Sequence, residues 1–315
     1  MKVLITGGAG FIGSHLADRL VDRGDEVLVI DNYSTGRRDN LALHKNLKVI
    51  EGSIADNDLV INLFQDFKPD IVAHAAASYK DPDNWEEDTR TNTLGTAIVT
   101  KASLDINVKR LIYFQTALCY GVKPLQQPIT LDHPILPGDS SYAISKTAAE
   151  QYIALSGIDF ISFRLANAYG PRNLSGPLPT FYNRLTNNLK CFVMDTRRDF
   201  IYIEDLIDLV MLAVDGKGTC GYYHASSGSD FAIKELFDNT LNALNIRLEE
   251  EVEVRERNPD DTYTILLDPL KTIQDYNWKP TKPLSEGIKS AIDYYKEFGI
   301  TQTYTHLKGI EEEKD

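Results

Sequence analysis

The chain has 315 residues, 43% of them hydrophobic and 25% charged, with a formal net charge of -13; this is enough for a large core plus a smaller lobe, at the composition of an ordinary folded chain. An acidic balance without a long Lys/Arg run excludes a nucleic-acid partner, whose phosphates need a basic stripe, and no apolar run approaches the roughly 20 residues that span a bilayer. A cytoplasmic protein with no membrane association is the expectation, because Met1-Lys2-Val3-Leu4-Ile5 runs into glycines without a cleavage signature.

From the first residues, short Val- and Ile-rich runs alternate with helical stretches, the pattern of repeated βαβ units. Strands are expected at Lys2–Thr6, Glu26–Asp31, Leu47–Glu51, Asp70–His74, Lys109–Gln115 and Asp159–Arg164, with helices near Phe11–Asp22, Asn57–Phe67, Asn84–Asp105 and Ser140–Leu155. Six parallel strands with crossovers make an α/β fold, a doubly wound sheet whose ligand crevice lies at the carboxyl ends of the strands. After about Gly170 the rhythm breaks into Pro- and Gly-containing loops, which marks a second lobe. Phe200–Val214 and Gly221–Ser226 read as a further helix and strand returning to the first lobe. The division expected is therefore 1–170 with returns at about 200–226 and 262–276, against 171–199, 227–261 and 277–315. The tail Glu311–Asp315 reads as frayed. Cys119, Cys191 and Cys220 are odd in number and far apart, so they read as reduced packing residues. The six histidines are scattered without metal-ligand spacing, and no metal is expected.

Thr6-Gly7-Gly8-Ala9-Gly10-Phe11-Ile12-Gly13 joins the first strand to the first helix. Gly7 suits a tight turn, Gly10 leaves room for phosphates at the positive helix end, and Gly13 lets helix pack on strand, so the segment reads as a pyrophosphate cradle. Asp31, at the end of the second strand, is placed to accept the hydroxyls of an adenosine ribose and to repel a 2'-phosphate, which favours NAD over NADP. Arg37 and Arg38 lie nearby and read either as solvated loop residues or as ligands of that phosphate.

Tyr142 and Lys146 fall four apart at the start of a helix capped by Asp139 or Ser140, on one face. A phenol titrates near 10, so a base at neutral pH needs a downward shift of about three units, roughly 4 kcal/mol. Lys146, the positive helix terminus and an oxidised nicotinamide would all favour the phenolate. Such a pair alone is more often a surface feature; the nucleotide-binding pattern upstream gives it meaning. Thr116, just past the fifth strand, is placed to hydrogen-bond a reacting oxygen.

With these residues the sequence resembles the extended short-chain dehydrogenase/reductase family, in particular its NAD-dependent nucleotide-sugar epimerases and dehydratases related to UDP-galactose 4-epimerase. The resemblance also rests on His74-Ala75-Ala76-Ala77, Asn92-Thr93-Leu94-Gly95-Thr96, Arg164 to Arg172, Arg198-Asp199-Phe200 and Trp278-Lys279-Pro280. Ala77 to Pro82 and Phe114 to Gly121 look most similar to epimerase-like enzymes of bacterial O-antigen sugar synthesis. The resemblance implies a Rossmann domain that binds NAD through Gly7, Gly10, Phe11, Ile12, Gly13, Asp31, Asn32, Ser53, Ile54, Ala75, Ala76, Ala77, Asn92, Tyr142 and Lys146. It implies a UDP-linked sugar substrate contacted by Asn167 and, at the diphosphate, by Arg198, and a homodimer built from the helices at Asn84–Asp105 and Ser140–Leu155. Arg198 also reads as a salt-bridge partner of Asp195 or Asp199.

Departures from the family pattern narrow the chemistry. The dehydratases carry Asp-Glu after the strand-five Thr, and here these positions are Ala117 and Leu118, which cannot move a proton. Epimerisation or keto reduction remains, with carbon 4 the expected centre, Tyr142 taking the hydroxyl proton and Thr116 and Lys146 assisting. Ser53 replaces the usual Asp near adenine, and Pro259 interrupts the motif that would make Arg257 a second diphosphate ligand. Lys80 reads either as a recognition group for a sugar carboxylate or acyl group or as a solvated lysine beside Asp81 and Asp83. An NADH-consuming ketosugar reductase and a catalytically silent dinucleotide sensor or scaffold are the rival functions.

Overall fold

The computed structural model describes residues 1–138, 140–257, 263–300 and 302–304. Asp139, Pro259 and the tail Glu311–Asp315 lie outside the described residues. Its first part runs β1 (Lys2–Thr6), α1 (Phe11–Arg23), β2 (Glu26–Asp31), β3 (Leu47–Glu51), α2 (Asn57–Phe67) and β4 (Ile71–His74). The expected helix near Asn84–Asp105 runs unbroken from Trp85 to Asp105 but changes its winding: α3 (Trp85–Asp88), a π-helical turn at Thr89–Gly95, and α4 (Thr96–Asp105). There follow β5 (Arg110–Thr116), a 3-10 turn at Ala117–Tyr120, α5 (Ser141–Ser156), β6 (Phe160–Leu165) and β7 (Asn167–Tyr169). The widened π-turn faces α5, where Asn92 and Thr93 hydrogen-bond the side chain and carbonyl of Ser145.

The remainder is α6 (Pro177–Thr186), β8 (Phe192–Met194), β9 (Arg197–Tyr202), α7 (Ile203–Val214), β10 (Gly221–Ala225), β11 (Asp230–Ala232), α8 (Ile233–Leu244), β12 (Glu253–Arg255), β13 (Thr264–Ile265), α9 (Leu270–Tyr276) and α10 (Leu284–Phe298). Phe200–Tyr202, expected as helix, is strand instead: it pairs in parallel with Asn167–Tyr169, and the helix begins only at Ile203. An apolar run of this kind is ambiguous by pattern, and the neighbouring strand decides it.

The main sheet has seven strands in the order β10-β6-β5-β4-β1-β2-β3. Its pairings are all parallel, and the seventh strand is the returning β10, beside β6. Both faces of the central strands are covered, so β1, β2 and β4 are largely apolar, while edge strand β3 exposes Lys48 and Glu51. Val3 and Ile5 of β1, with Val27 and Val29 of β2, pack toward Leu16 and Leu20 of α1 and Leu206 and Val210 of α7. Leu4, Leu28 and Ile30 point the other way, to Val60 and Phe64 of α2, Val99 of α4 and Ile153 of α5. Beyond the sheet, β9 centres a four-stranded sheet with β7, β11 and β13, and β8 pairs with β12. Phe237 of α8 meets Phe181 of α6 edge-on at 5.0 Å. Trp278 donates its indole N–H to the Asp205 carbonyl, and the Asp205 carboxylate accepts the N–H groups of Thr281 and Lys282, tying the chain before α10 to α7. Cys119 and Cys191 are packing residues, but Cys220 is exposed at the entry to edge strand β10. Among the described residues no helix is long and apolar enough to cross a membrane, and no group of three His, Cys, Asp or Glu is arranged to hold a metal.

Candidate active site

One long cleft runs along the carboxyl ends of the sheet strands and on to β7 and β9. Its floor is set by close approach of backbones. Gly7 has φ +67°, and a Cβ there would stand 2.6 Å from the Ala76 backbone; a Cβ on Gly13 would stand 2.3 Å from the Gly7 carbonyl oxygen. Side chains at either position would push the loop after β4 or the start of α1 away. Gly10 starts α1 without a side-chain cap, so the amide-rich helix end facing the cleft with Phe11 and Ile12 suits an anion. These features fit a dinucleotide pyrophosphate.

At one end Asp31 is 7% exposed. Its Oδ2 accepts the Ala9 N–H at 2.8 Å and its Oδ1 the Tyr33 N–H at 2.7 Å, which leaves acceptor capacity on both oxygens for a diol. Burial raises its pKa, opposed by those two N–H groups. Arg37 is engaged by Asp39 and Arg38 by Glu51, so both arginines already meet carboxylates. Asn32, Ser53 and Ile54 line the same end. The Asn32 carbonyl accepts the Ser34 N–H, and the Ser53 hydroxyl accepts the Ala55 N–H while keeping a hydrogen to donate.

Ala75, Ala76 and Ala77 line the middle of the cleft, held by a buried relay. The Ala76 N–H donates to Thr6 Oγ1, Thr6 to His74 Nδ1 at 2.6 Å, His74 Nε2 to Thr96 Oγ1 at 2.8 Å, and Thr96 to the Asn92 carbonyl. Burial holds His74 neutral, its pKa lowered to about 3. Asn92 does not line the cleft. It is 1% exposed, and its amide is used up on the Ser78 backbone and the Ser145 hydroxyl. It lies behind Ser78, which lines the cleft, and its hydrogen bonds hold the backbone there.

Thr116, Tyr142 and Lys146 come together on the cleft wall from β5 and α5. Ser140 caps α5, its hydroxyl accepting the Ala143 N–H. Thr116 Oγ1 accepts the Leu118 N–H at 3.2 Å, which frees its hydrogen to donate. The Lys146 carbonyl accepts both the Tyr113 hydroxyl and the Gln115 amide at 3.0 Å, fixing α5 against β5. The Lys146 ammonium lies 4.0 Å from the Tyr113 ring centre. Burial lowers the Lys146 pKa to about 7, with Glu150 opposing. Burial pushes the Tyr142 phenol up, and Tyr79 and Asp88 act in the same direction. Burial, Tyr79 and Asp88 thus work against the expected downward shift of Tyr142, and positive charge in the cleft would favour the phenolate.

On the far side Asn167 and Arg198 line the cleft. Asn167 donates to the Asp199 carbonyl at 3.0 Å, and Arg198 to the Arg197 carbonyl at 2.7 Å. The Asp199 carboxylate is taken by Ser226, Ser227 and the Leu267 N–H, and burial raises its pKa to about 6. Two other expected ligands are not brought to the cleft. Lys80 is exposed, with its ammonium 5.9 Å from the Tyr304 ring, and Arg257 is exposed, 5.7 Å from the Tyr263 ring. Thr35, Tyr79, Glu87, Thr91, Asn173 and Phe200 line the cleft without having been singled out. The signal for one pair was present: Glu87 and Thr91 are four apart, and the Thr91 hydroxyl donates to Glu87 at 2.7 Å.

Comparison with known proteins agrees with this geometry. Residues 3–221 match the profile of the NAD dependent epimerase/dehydratase family. The crystal structure of the Bordetella bronchiseptica enzyme WbmH in complex with NAD+ is 54% identical, with a TM-score of 0.92 over 95% of this chain and 99% of that one. WbmG of the same organism, solved with NAD and UDP, is 43% identical, with a TM-score of 0.90 over 98% and 99%. Among curated relatives, a UDP-glucose 4-epimerase of Mycolicibacterium smegmatis is 29% identical over 315 residues, covering 94% of this chain and 99% of its own.

Proposed function

The chain belongs to the NAD dependent epimerase/dehydratase family and uses NAD, and from that premise we propose that it inverts carbon 4 of a UDP-hexose, UDP-N-acetylhexosamine or UDP-hexuronate for surface-polysaccharide synthesis of the O-antigen kind. The observation that carries the choice of epimerisation is the wall after Thr116: Ala117 and Leu118 line it where dehydration requires a proton donor. Glu87, a carboxylate elsewhere on the cleft, accepts the Thr91 hydroxyl on one oxygen.

In this reading Gly7, Gly10 and Gly13 admit the pyrophosphate, Asp31 accepts the ribose hydroxyls, and Asn167 and Arg198 hold the sugar diphosphate. Bound NAD supplies a hydride acceptor at carbon 4 and gives the hydride back. Tyr142 removes the 4-hydroxyl proton and later returns it, while Thr116 donates a hydrogen bond to the same oxygen as it becomes a carbonyl. Lys146 contributes positive charge beside the phenolate. The diphosphate is the fixed anchor about which the ketosugar presents its other face. Exposed Trp85, Leu94, Ile144, Tyr152 and Leu155, at 66%, 50%, 50%, 49% and 80%, lie on the π-turn region and α5, and support a homodimer through those helices.

The test is incubation of the NAD-loaded protein with a panel of UDP-hexoses, UDP-N-acetylhexosamines and UDP-uronates, followed by chromatography and absorbance at 340 nm. An inverted product without net NADH change is expected. Net NADH consumption with a ketosugar would make the protein a reductase, and a protein that binds NAD but converts nothing in the panel would point to a sensor.

A further inference from the structure

Behind Lys146, away from the cleft, a buried ionic cluster joins α5 to β6 and β10. Glu150 lies one helical turn beyond Lys146 and is 3% exposed. Its Oε2 accepts Arg164 Nη2 at 2.8 Å, and its Oε1 accepts Arg164 Nε at 3.2 Å and the Ser162 hydroxyl. The Arg164 guanidinium, 4% exposed, lies 4.5 Å from the Tyr222 ring centre and donates through Nη1 to the Tyr120 hydroxyl at 2.8 Å. Tyr120 in turn donates to His224 Nε2 at 2.7 Å, and His224 Nδ1 donates to the Asp268 carbonyl. Neither Glu150 nor Arg164 lines the cleft.

The Glu150 carboxylate thus pairs with buried Arg164, while buried Lys146 lies one helical turn away on α5, its ammonium over Tyr113, the register partner of Ser162. Burying three charges together is costly, and an apolar trio of similar volume would hold the helix to the strand as well or better. The arrangement has a different consequence for the wall of the cleft. Lys146 lies over Tyr113 of β5, acts on buried His74 of β4 and is influenced by Glu150 on its own helix; Arg164 on β6, with Tyr120, Cys119 and His224, stands beyond Glu150. Of these, Glu150 is the one carboxylate.

We propose that Glu150, its charge partly balanced by Arg164, is a positioning residue that keeps Lys146 cationic beside Tyr142. The direction agrees with the opposing influences on Lys146, burial favouring the neutral amine and Glu150 the ammonium. Without Glu150, burial of Lys146 would go unopposed and the Arg164 guanidinium would lose the carboxylate that neutralises it, so Lys146 would lose its proton at lower pH. The proposal rests on reading Tyr142 and Lys146 as the proton-transfer pair, but it concerns a charge state that is measurable without turnover. Failure of the epimerase reading therefore leaves this measurement interpretable.

The experiment is a pH titration of NAD-loaded protein labelled with 13Cε-lysine, followed by NMR, with the Lys146 resonance assigned from Lys146→Arg. Glu150→Gln should move the Lys146 titration down by about one pH unit or more, as expected for loss of a nearby opposite charge. Glu150→Asp should restore most of it. The double variant Glu150→Gln/Arg164→Met should titrate between Glu150→Gln and wild type, since it removes both attraction and repulsion. A purely packing role predicts no movement in folded Glu150→Gln, or movement that the double variant leaves unchanged, and either result overturns the proposal. If Glu150→Gln does not fold, the double variant decides: a Lys146 titration equal to that of wild type refutes the idea.

Discussion

Replacing Asp31 by alanine tests the cofactor end of the cleft most severely. The carboxylate accepts the N–H groups of Ala9 and Tyr33 at 2.8 and 2.7 Å. Ala9 is wholly buried, so its N–H is left without an acceptor, at a cost to the fold of about 1–3 kcal/mol. The ribose loses two hydrogen bonds to a charged acceptor, each worth about 1.5–3 kcal/mol before water replaces part of the loss. A net loss of about 3 kcal/mol corresponds to roughly a hundredfold weaker NAD binding. NADP should suffer far less, because the same substitution removes the carboxylate that repels its 2'-phosphate while Arg37 and Arg38 remain nearby. Isothermal titration with each cofactor, beside thermal unfolding of the unliganded variant, separates the two effects. NAD affinity within threefold of wild type, or an unchanged NAD to NADP preference, would refute the assignment of Asp31.

Tyr142→Phe should lower kcat by at least about a thousandfold while leaving NAD binding within a few fold, measured by product chromatography and titration; an active Phe variant would remove the phenol from the mechanism. Burial lowers the His224 pKa to about 4, below the roughly 6.5 of an unfolded histidine, so the unfolded chain protonates first and stability falls as pH drops from 6.5 toward 4. At pH 5 this one residue should cost about 2 kcal/mol relative to pH 7, and denaturant unfolding of His224→Gln should show a correspondingly flatter pH dependence; an identical slope would contradict the linkage. Ile144→Glu with Leu155→Glu should yield a monomer by analytical ultracentrifugation, with NAD binding retained. A wild-type monomer at micromolar concentration would end the proposed dimer.

The sheet was legible because its central strands are buried and rich in Val and Ile; the cap of α2, where the Asp56 carboxylate accepts the Leu59 N–H, was not singled out. The π-turn at Thr89–Gly95 left no mark in the sequence, since one extra residue per turn changes hydrogen bonding without changing composition. Phe200–Tyr202 misled for a related reason: an apolar run leading into an apolar helix has no period until its strand partners are known. The gathering of Gly7, Gly13, Asp31, Thr116, Tyr142 and Lys146 along one cleft was readable because they stand near strand ends and in the opening turns of helices, where backbone geometry fixes direction. Lys80 and Arg257 sit on loops, and nothing in their spacing said that one would lie over Tyr304 and the other over Tyr263. Asn92 lies behind the cleft lining, bonded to Ser78, because a motif position does not tell a residue on a cleft wall from one that supports it.

The most direct measurement is to follow the hydrogen on carbon 4. A UDP-sugar accepted by the protein, deuterated at C4 and incubated in ordinary water with NAD-loaded enzyme, should give inverted product that retains its deuterium, with no accumulation of NADH. Loss of the label to solvent during inversion would show that carbon 4 exchanges a proton rather than a hydride, and would contradict the central claim.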